Sequence, residues 1–135
     1  MPSPQNFFKA LAFGAIILLA ACTKVDPKFV QTINTYNETD HRRLVEIYGE
    51  MQKAAQFNDP AGYGAGASKW GDFALTTVEP FWKSLEVPKD LEPEREKVLD
   101  AFDGNGFGDR MQSYTKAYGD FLVKAFPNGE VQLSP

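Results

Sequence analysis

The chain has 135 residues and carries 14 basic against 18 acidic side chains, which gives a formal net charge of −4. This length fits one domain, and the acidic balance argues against nucleic acid as a partner, because binding phosphate requires a basic surface. The single cysteine excludes an intramolecular disulfide and a cysteine-based zinc site. With 43% hydrophobic and 24% charged residues, the composition is that of a folded domain.

The N-terminal residues have the pattern of a secretory signal peptide. A short, weakly positive leader over residues 1–9 precedes an unbroken apolar run over residues 10–21. A membrane-spanning helix needs about 20 apolar residues, so this shorter run is typical of a signal-peptide core. The alternative is a short apolar segment that is buried in the fold.

The apolar run ends in Leu19-Ala20-Ala21-Cys22, which resembles a bacterial lipobox, the recognition sequence of lipoprotein signal peptidase. The resemblance covers only the first 22 residues or so. It implies that the Cys22 thiol receives a diacylglycerol, that the chain is cut between Ala21 and Cys22, and that the new amine is acylated. Such lipid chains anchor a protein without crossing the bilayer.

Thr23 follows the lipidated cysteine. In Gram-negative lipoproteins an aspartate at this position resembles an inner-membrane retention signal. Its absence here favours the outer membrane, on the periplasmic face, over the inner membrane or the cell surface. The predicted organisation is therefore a signal peptide over 1–21, a lipidated tether over 22–27, a helical domain over 28–126 and a loose tail over 127–135.

The first predicted helix begins at Asp26-Pro27, since aspartate caps helices and proline fits the first helical position. It runs to Asn58-Asp59-Pro60, and its apolar residues recur at helical spacing: Phe29, Ile33, Tyr36, Leu44, Ile47, Tyr48, Met51 and Ala55.

Residues 60–68, rich in glycine and alanine, are predicted to form a loop. The second helix is then expected from about Lys69 to Glu86, with Ser68 as its cap and a kink near Glu79 caused by Pro80. Its predicted apolar stripe consists of Trp70, Ala74, Thr77, Phe81 and Leu85.

The third predicted helix is capped by Asp90 or a neighbour, has Pro93 in its first turn, and ends at Gly104-Asn105-Gly106. Its apolar face consists of Leu91, Val98 and Phe102. The fourth ends at Phe126-Pro127-Asn128-Gly129, and its stripe consists of Phe107, Met111, Tyr114, Tyr118, Phe121 and Ala125. No segment alternates with period 2, so the sequence predicts an all-α bundle of about four helices.

Three segments resemble functional motifs only in part. Asp103 to Gln112 has the centre of an EF-hand calcium loop but lacks the acidic residues at both ends. Gly62 to Lys69 is rich in glycine but fits no phosphate-binding spacing. Glu38-x-x-His41 occurs once, whereas a di-iron bundle needs two such motifs, so it is expected on a solvated face. The sequence therefore predicts no metal, no cofactor and no catalytic residues.

Asp40 is the least expected residue of the first helix. At about 100° per residue it falls in the middle of the apolar stripe, with Asn37 beside it. An unpaired buried carboxylate is costly. Either the helix extends beyond its neighbours at this level, or Asp40 meets a cation or a donor, or the two residues form a functional polar notch.

Trp82 lies about 100° from Phe81 and therefore leaves the stripe of the second helix. Either this helix has neighbours on two sides, or Pro80 rotates its second half, or Trp82 is an exposed contact for a partner.

Three classes of function follow. The favoured one is a non-catalytic interaction or envelope-assembly module that is held at the membrane through Cys22 and binds a protein partner. The alternative is a periplasmic immunity or inhibitor lipoprotein. A small-ligand binder or enzyme comes last, because no catalytic constellation is recognisable.

Overall fold

The computed structural model describes residues 25–104 and 106–133. The predicted signal peptide and Cys22 lie outside the described residues. Helix α1 spans 27–56 and consists of α-helical Pro27–Tyr36, a π turn over Asn37–His41, and α-helical Arg42–Gln56. Its predicted start is confirmed, because the Asp26 side chain accepts a hydrogen bond of 3.0 Å from the Lys28 backbone N–H.

Helix α2 spans 60–84 and consists of α-helical Pro60–Phe73, a second π turn over Ala74–Val78, and α-helical Glu79–Ser84. The prediction of a loop over 60–68, with Ser68 as the cap, is therefore wrong. Asp59 caps this helix through a hydrogen bond of 3.0 Å from the Gly62 N–H, and Pro60 occupies the first turn. The same Asp-Pro signal that starts α1 thus starts α2.

The first two helices form a tight hairpin. Segment Arg42–Gln56 packs against Pro60–Phe73, with three residues between them. A Cβ atom placed on Gly66 would lie only 2.6 Å from Cγ of Met51. The small residues of the segment that was predicted to be a loop therefore allow the two helices to approach closely.

Helix α3 spans 89–103, with α-helical Glu92–Asp100 between 3₁₀ turns at Lys89–Leu91 and Ala101–Asp103. Pro93 lies in its first α-helical turn as predicted, but no side chain caps it, so the expected Asp90 cap is absent. Helix α4 spans Phe107–Ala125. Eight of the predicted apolar positions of α3 and α4 are buried: Leu91, Val98, Phe102, Met111, Tyr114, Tyr118, Phe121 and Ala125.

The all-α class is confirmed, since the described residues form four helices and no strand. Aromatic rings fill the core between the helices. Trp82 of α2 meets Phe121 of α4 edge to face, with ring centroids 5.0 Å apart, and Phe29 of α1 lies 6.3 Å from Phe121. Trp70 lies 5.9 Å from Phe102 of α3.

The second π turn changes which residues of α2 face the core. A π turn lengthens the hydrogen-bonded ring by one residue, and here the Glu79 N–H bonds to the Ala74 carbonyl. The buried positions after Ala74 are therefore Val78 and Trp82, while predicted Thr77 is exposed and Phe81 is only partly buried. Pro80 is the second residue after this turn, and the helix continues to Ser84.

Residues 127–133 do not form the predicted loose tail. Val131 is 3% exposed and belongs to the core. Gly129 makes the turn that precedes it, with φ at +77°, a conformation that favours glycine.

Two substitutions test this core. We expect Phe121→Ala and Trp82→Ala each to lower the free energy of unfolding by about 3–5 kcal/mol, because each removes a fully buried ring. Val123→Ala is the matched control on α4, since Val123 is 74% exposed and should change stability by less than about 0.5 kcal/mol. Urea denaturation of the three variants measures the difference. A Trp82→Ala protein as stable as the Val123→Ala protein would contradict this packing.

Candidate functional site

The first π turn places two polar residues of α1 in the protein core. Asn37 is 6% exposed and His41 is 1% exposed. These are the two buried polar residues at this level of α1, and each needs hydrogen bonds to offset the loss of water.

The Tyr114 hydroxyl joins α4 to α1. It lies 2.7 Å from the Tyr36 hydroxyl and 2.8 Å from Nδ1 of His41. Tyr118, one turn further along α4, donates a hydrogen bond of 3.0 Å to Oδ1 of Asn37. We call these five residues (Tyr36, Asn37, His41, Tyr114 and Tyr118) the tyrosine cluster.

The tyrosine cluster also holds the C-terminal segment. Nδ2 of Asn37 donates a hydrogen bond of 2.9 Å to the backbone carbonyl of Gln132. One amide side chain thereby satisfies both of its polar ends, one on α4 and one on the segment that follows it. This contact and the buried Val131 hold the C-terminal segment against the helices.

Aromatic rings surround His41. The ring centroid of Tyr118 lies 4.8 Å away and that of Tyr114 lies 5.7 Å away. The two tyrosine rings are nearly parallel, at 8°. Trp82 packs edge to face on both Tyr36 and Tyr118, at 5.3 and 5.7 Å.

Burial raises the pKa of all three tyrosines of the cluster above the ordinary value for a phenol. For Tyr114 and Tyr118, the charge that an ionised Tyr36 would carry raises the pKa further. All three hydroxyls are therefore neutral at physiological pH, where they can donate hydrogen bonds.

The side chains of the cluster are of the kinds that transfer protons, but a substrate cannot reach them from solvent. A catalytic acid or base must lie within hydrogen-bond reach of a substrate. His41, Tyr114 and Tyr118 are at most 1% exposed, and the groove beside the cluster is lined by Tyr36 but by none of these three. The arrangement therefore positions helices and presents no reactive group to solvent.

Asp40 does not lie in the apolar stripe, so the prediction that it falls in its centre is wrong. The π turn inserts one residue, and His41 takes the core position instead. Asp40 is half-buried at the edge of a surface groove. Partial desolvation raises the pKa of its carboxyl group, and the neighbouring Thr39 hydroxyl offsets part of that rise.

The other predicted site residues divide between core and surface. Asn37 belongs to the tyrosine cluster, and Trp82 is fully buried, which places it in the core and not on a partner surface. Glu38 is exposed as expected, but His41 is buried, so the Glu38-x-x-His41 pair does not share a solvated face. The π turn separates the two side chains.

The glycine-rich candidates form helix and turn structure. Gly62 to Lys69 lies within the first α-helical segment of α2. Asp103 ends the last turn of α3, and Nε of Arg110 donates a hydrogen bond of 2.7 Å to the Gly104 carbonyl. Over 25–104 and 106–133, no group of three histidine, cysteine or acidic side chains is placed to hold a metal ion.

Sequence reasoning missed the tyrosine cluster. Tyr114 and Tyr118 were placed correctly on the buried face of α4, but no pattern marked their hydroxyls as partners for α1. One feature of the sequence could have indicated the cluster. Asn37, Asp40 and His41 are three polar residues within five positions of α1. Such crowding indicates that some of them are buried together.

Comparison with known proteins gives no relative for this chain. No family model, no curated protein and no solved structure matches it. The helices in the described part of the chain are too short or too polar to cross a membrane.

The tyrosine cluster predicts a loss of stability in alkali. Folding raises the pKa of these phenols above the unfolded value of about 10. Their contribution to the free energy of unfolding is therefore complete below about pH 10, and it is lost as the pH rises from there towards the folded pKa. Three such groups lower the free energy of unfolding by about 4 kcal/mol per pH unit above about pH 10. Urea denaturation between pH 8 and 11 and the ultraviolet absorbance of tyrosinate measure this. We expect three of the five tyrosines to ionise only as the chain unfolds.

Tyr118→Phe removes one of the three groups and should reduce the alkaline slope by about a third. Tyr63→Phe is the matched control, because Tyr63 is exposed, and it should leave the slope unchanged. Ionisation of all five tyrosines in the folded protein would contradict the burial of the cluster.

Proposed function

We propose that this protein is a lipid-anchored outer-membrane lipoprotein that faces the periplasm and acts as a non-catalytic interaction or envelope-assembly module. The observation that carries the proposal is Leu19-Ala20-Ala21-Cys22 at the end of an apolar run, with the only cysteine of the chain at the lipidated position. Two or more acyl chains are sufficient for stable anchoring.

The short tether supports a position close to the bilayer. Asp26, the cap of α1, lies four positions after Cys22. A chain extends at most about 3.5 Å per residue, so the start of α1 would lie within about 14 Å of the lipidated cysteine. A domain held this closely is suited to binding partners at the membrane surface.

The use of the buried polar groups supports a non-catalytic role. The histidine and three of the tyrosines are committed to hydrogen bonds and ring contacts inside the core. These are the side chains most often used in acid–base catalysis and in activating a nucleophile. Here they connect α1, α4 and the C-terminal segment, which favours a rigid scaffold.

Cys22→Ser tests the anchor. We expect the substitution to abolish incorporation of radiolabelled palmitate and to leave residues 1–21 attached, because the hydroxyl does not replace the thiol in lipid transfer. Thr23→Ser is the matched control and should be labelled and cleaved like the parent. On a sucrose gradient of a Gram-negative host, the labelled parent protein should sediment with the outer membrane.

Two results would contradict the anchor and the localisation. Palmitate bound to the Cys22→Ser protein would refute lipidation at this residue. Parent protein found in inner-membrane fractions would refute the outer-membrane assignment.

Affinity purification tests the interaction role. After crosslinking in the native host and solubilisation in detergent, we expect the tagged protein to carry one partner protein in near-stoichiometric amount. The Phe121→Ala variant controls for binding of a partly unfolded chain, and it should lose this partner. A folded, crosslinked protein that purifies alone would count against the interaction role.

A further inference from the structure

A surface groove runs along α1 beside the tyrosine cluster. It encloses about 630 Å³, and its floor consists of uncharged side chains of α1 and one aromatic ring of α2, Phe81. The α1 residues of this floor include Thr32, Thr35 and Thr39. Two opposite charges, Lys28 and Asp40, mark its ends.

The Asp40 end of the groove has an uncompensated negative charge. Among the described residues, no lysine, arginine or histidine lies within ion-pair distance of its carboxylate. The carboxyl group is half-buried, and its loss of water raises its pKa. A cation bound here would restore favourable interactions to a carboxylate that has lost part of its hydration.

Phe81 adds an aromatic surface to the same groove. Its ring is stacked on Tyr36, with centroids 4.6 Å apart and an interplanar angle of 13°. Tyr36 is 2% exposed, whereas Phe81 is partly exposed, so Phe81 is the outer ring of the pair. Arginine is the side chain best suited to such a site, because a planar guanidinium binds carboxylates through two hydrogen bonds and stacks on rings.

The distance between the two charged ends favours an extended peptide over a single small cation. Lys28 and Asp40 are twelve positions apart on α1, or about 18 Å along the helix. They are too far apart to pair with each other. An extended chain covers this distance in about five or six residues, at about 3.3 Å per residue.

We propose that this groove binds an extended segment of a partner protein, with an arginine on Asp40 and Phe81 and an acidic side chain near Lys28. The proposal names the partner chemistry for the interaction role proposed above and rests on that role, but it does not depend on the lipid anchor.

Nuclear magnetic resonance titration of the full chain in zwitterionic detergent tests the Asp40 end. The probe is N-acetylarginine amide, and N-acetylcitrulline amide is its uncharged control of the same shape. We expect the arginine probe to shift resonances of Thr35, Asp40 and Phe81, and to bind at least tenfold more tightly than the citrulline probe. Asp40→Asn should weaken arginine binding at least tenfold, and Asp40→Glu should restore most of it.

Glu38→Gln is the matched control, because it removes the same charge two positions away at an exposed site outside the groove. It should bind the arginine probe like the parent. Asp40 is half-exposed, so Asp40→Asn should keep the helical circular dichroism spectrum and the melting temperature of the parent.

Equal binding of the two probes, or equal loss of binding in Glu38→Gln and Asp40→Asn, would overturn the proposal. Its failure can be told apart from failure of the proposed function, because palmitate labelling and co-purification report on the latter. An anchored protein that carries a partner but does not bind arginine at Asp40 would refute the groove alone.

Discussion

The extra residue in the first π turn decides which side chain of α1 enters the core. In a regular α-helix the stripe that contains Ile33 and Tyr36 would continue through Asp40. A carboxylate buried there without a partner would cost several kcal/mol or would have to stay protonated. The π turn replaces Asp40 with His41, whose Nδ1 shares a hydrogen bond of 2.8 Å with the Tyr114 hydroxyl. π turns are rare within helices, and this one keeps a carboxylate out of the core.

The rest of the structure follows from satisfying the polar groups that this turn buries. Tyr114 and Asn37 each bind two partners, and together they connect α1, α4 and the carbonyl of Gln132. A buried hydrogen bond demands one relative position of its two elements, whereas apolar contacts tolerate small shifts. The tyrosine cluster therefore sets the register of α4 against α1. Trp82 packs on Tyr36 and Tyr118 of the cluster, and Phe121 packs on Trp82.

The sequence predicted the helices better than it predicted their faces. The start of α1, the buried stripe of α4 and the all-α class could be derived from caps, proline positions and spacing. The start of α2 was missed although Asp59-Pro60 repeats the signal that starts α1. Glycine has low helix propensity, and the packing of Gly66 on Met51 that favours a helix here cannot be seen in the sequence. The face of α2 after Ala74 and the position of Asp40 in α1 were predicted wrongly, because a constant angle per residue cannot represent an inserted residue. The same error hid the tyrosine cluster and misplaced Asp40 and Trp82. Beyond the first π turn, Leu44, Ile47 and Met51 are buried as predicted.

The stacking of Phe29 on Phe126, with ring centroids 5.4 Å apart, brings the beginning of α1 and the end of α4 to one end of the molecule. If the proposed lipid anchor precedes α1, this end of the molecule faces the bilayer. A bulky label at the start of α1 would then compete with the membrane for space. The turn between α1 and α2, about 45 Å along α1 from the tether, points away from that crowded end. Asn58 in this turn has a positive φ of 51° and is exposed, so a tag or reporter inserted there would reach into the aqueous compartment.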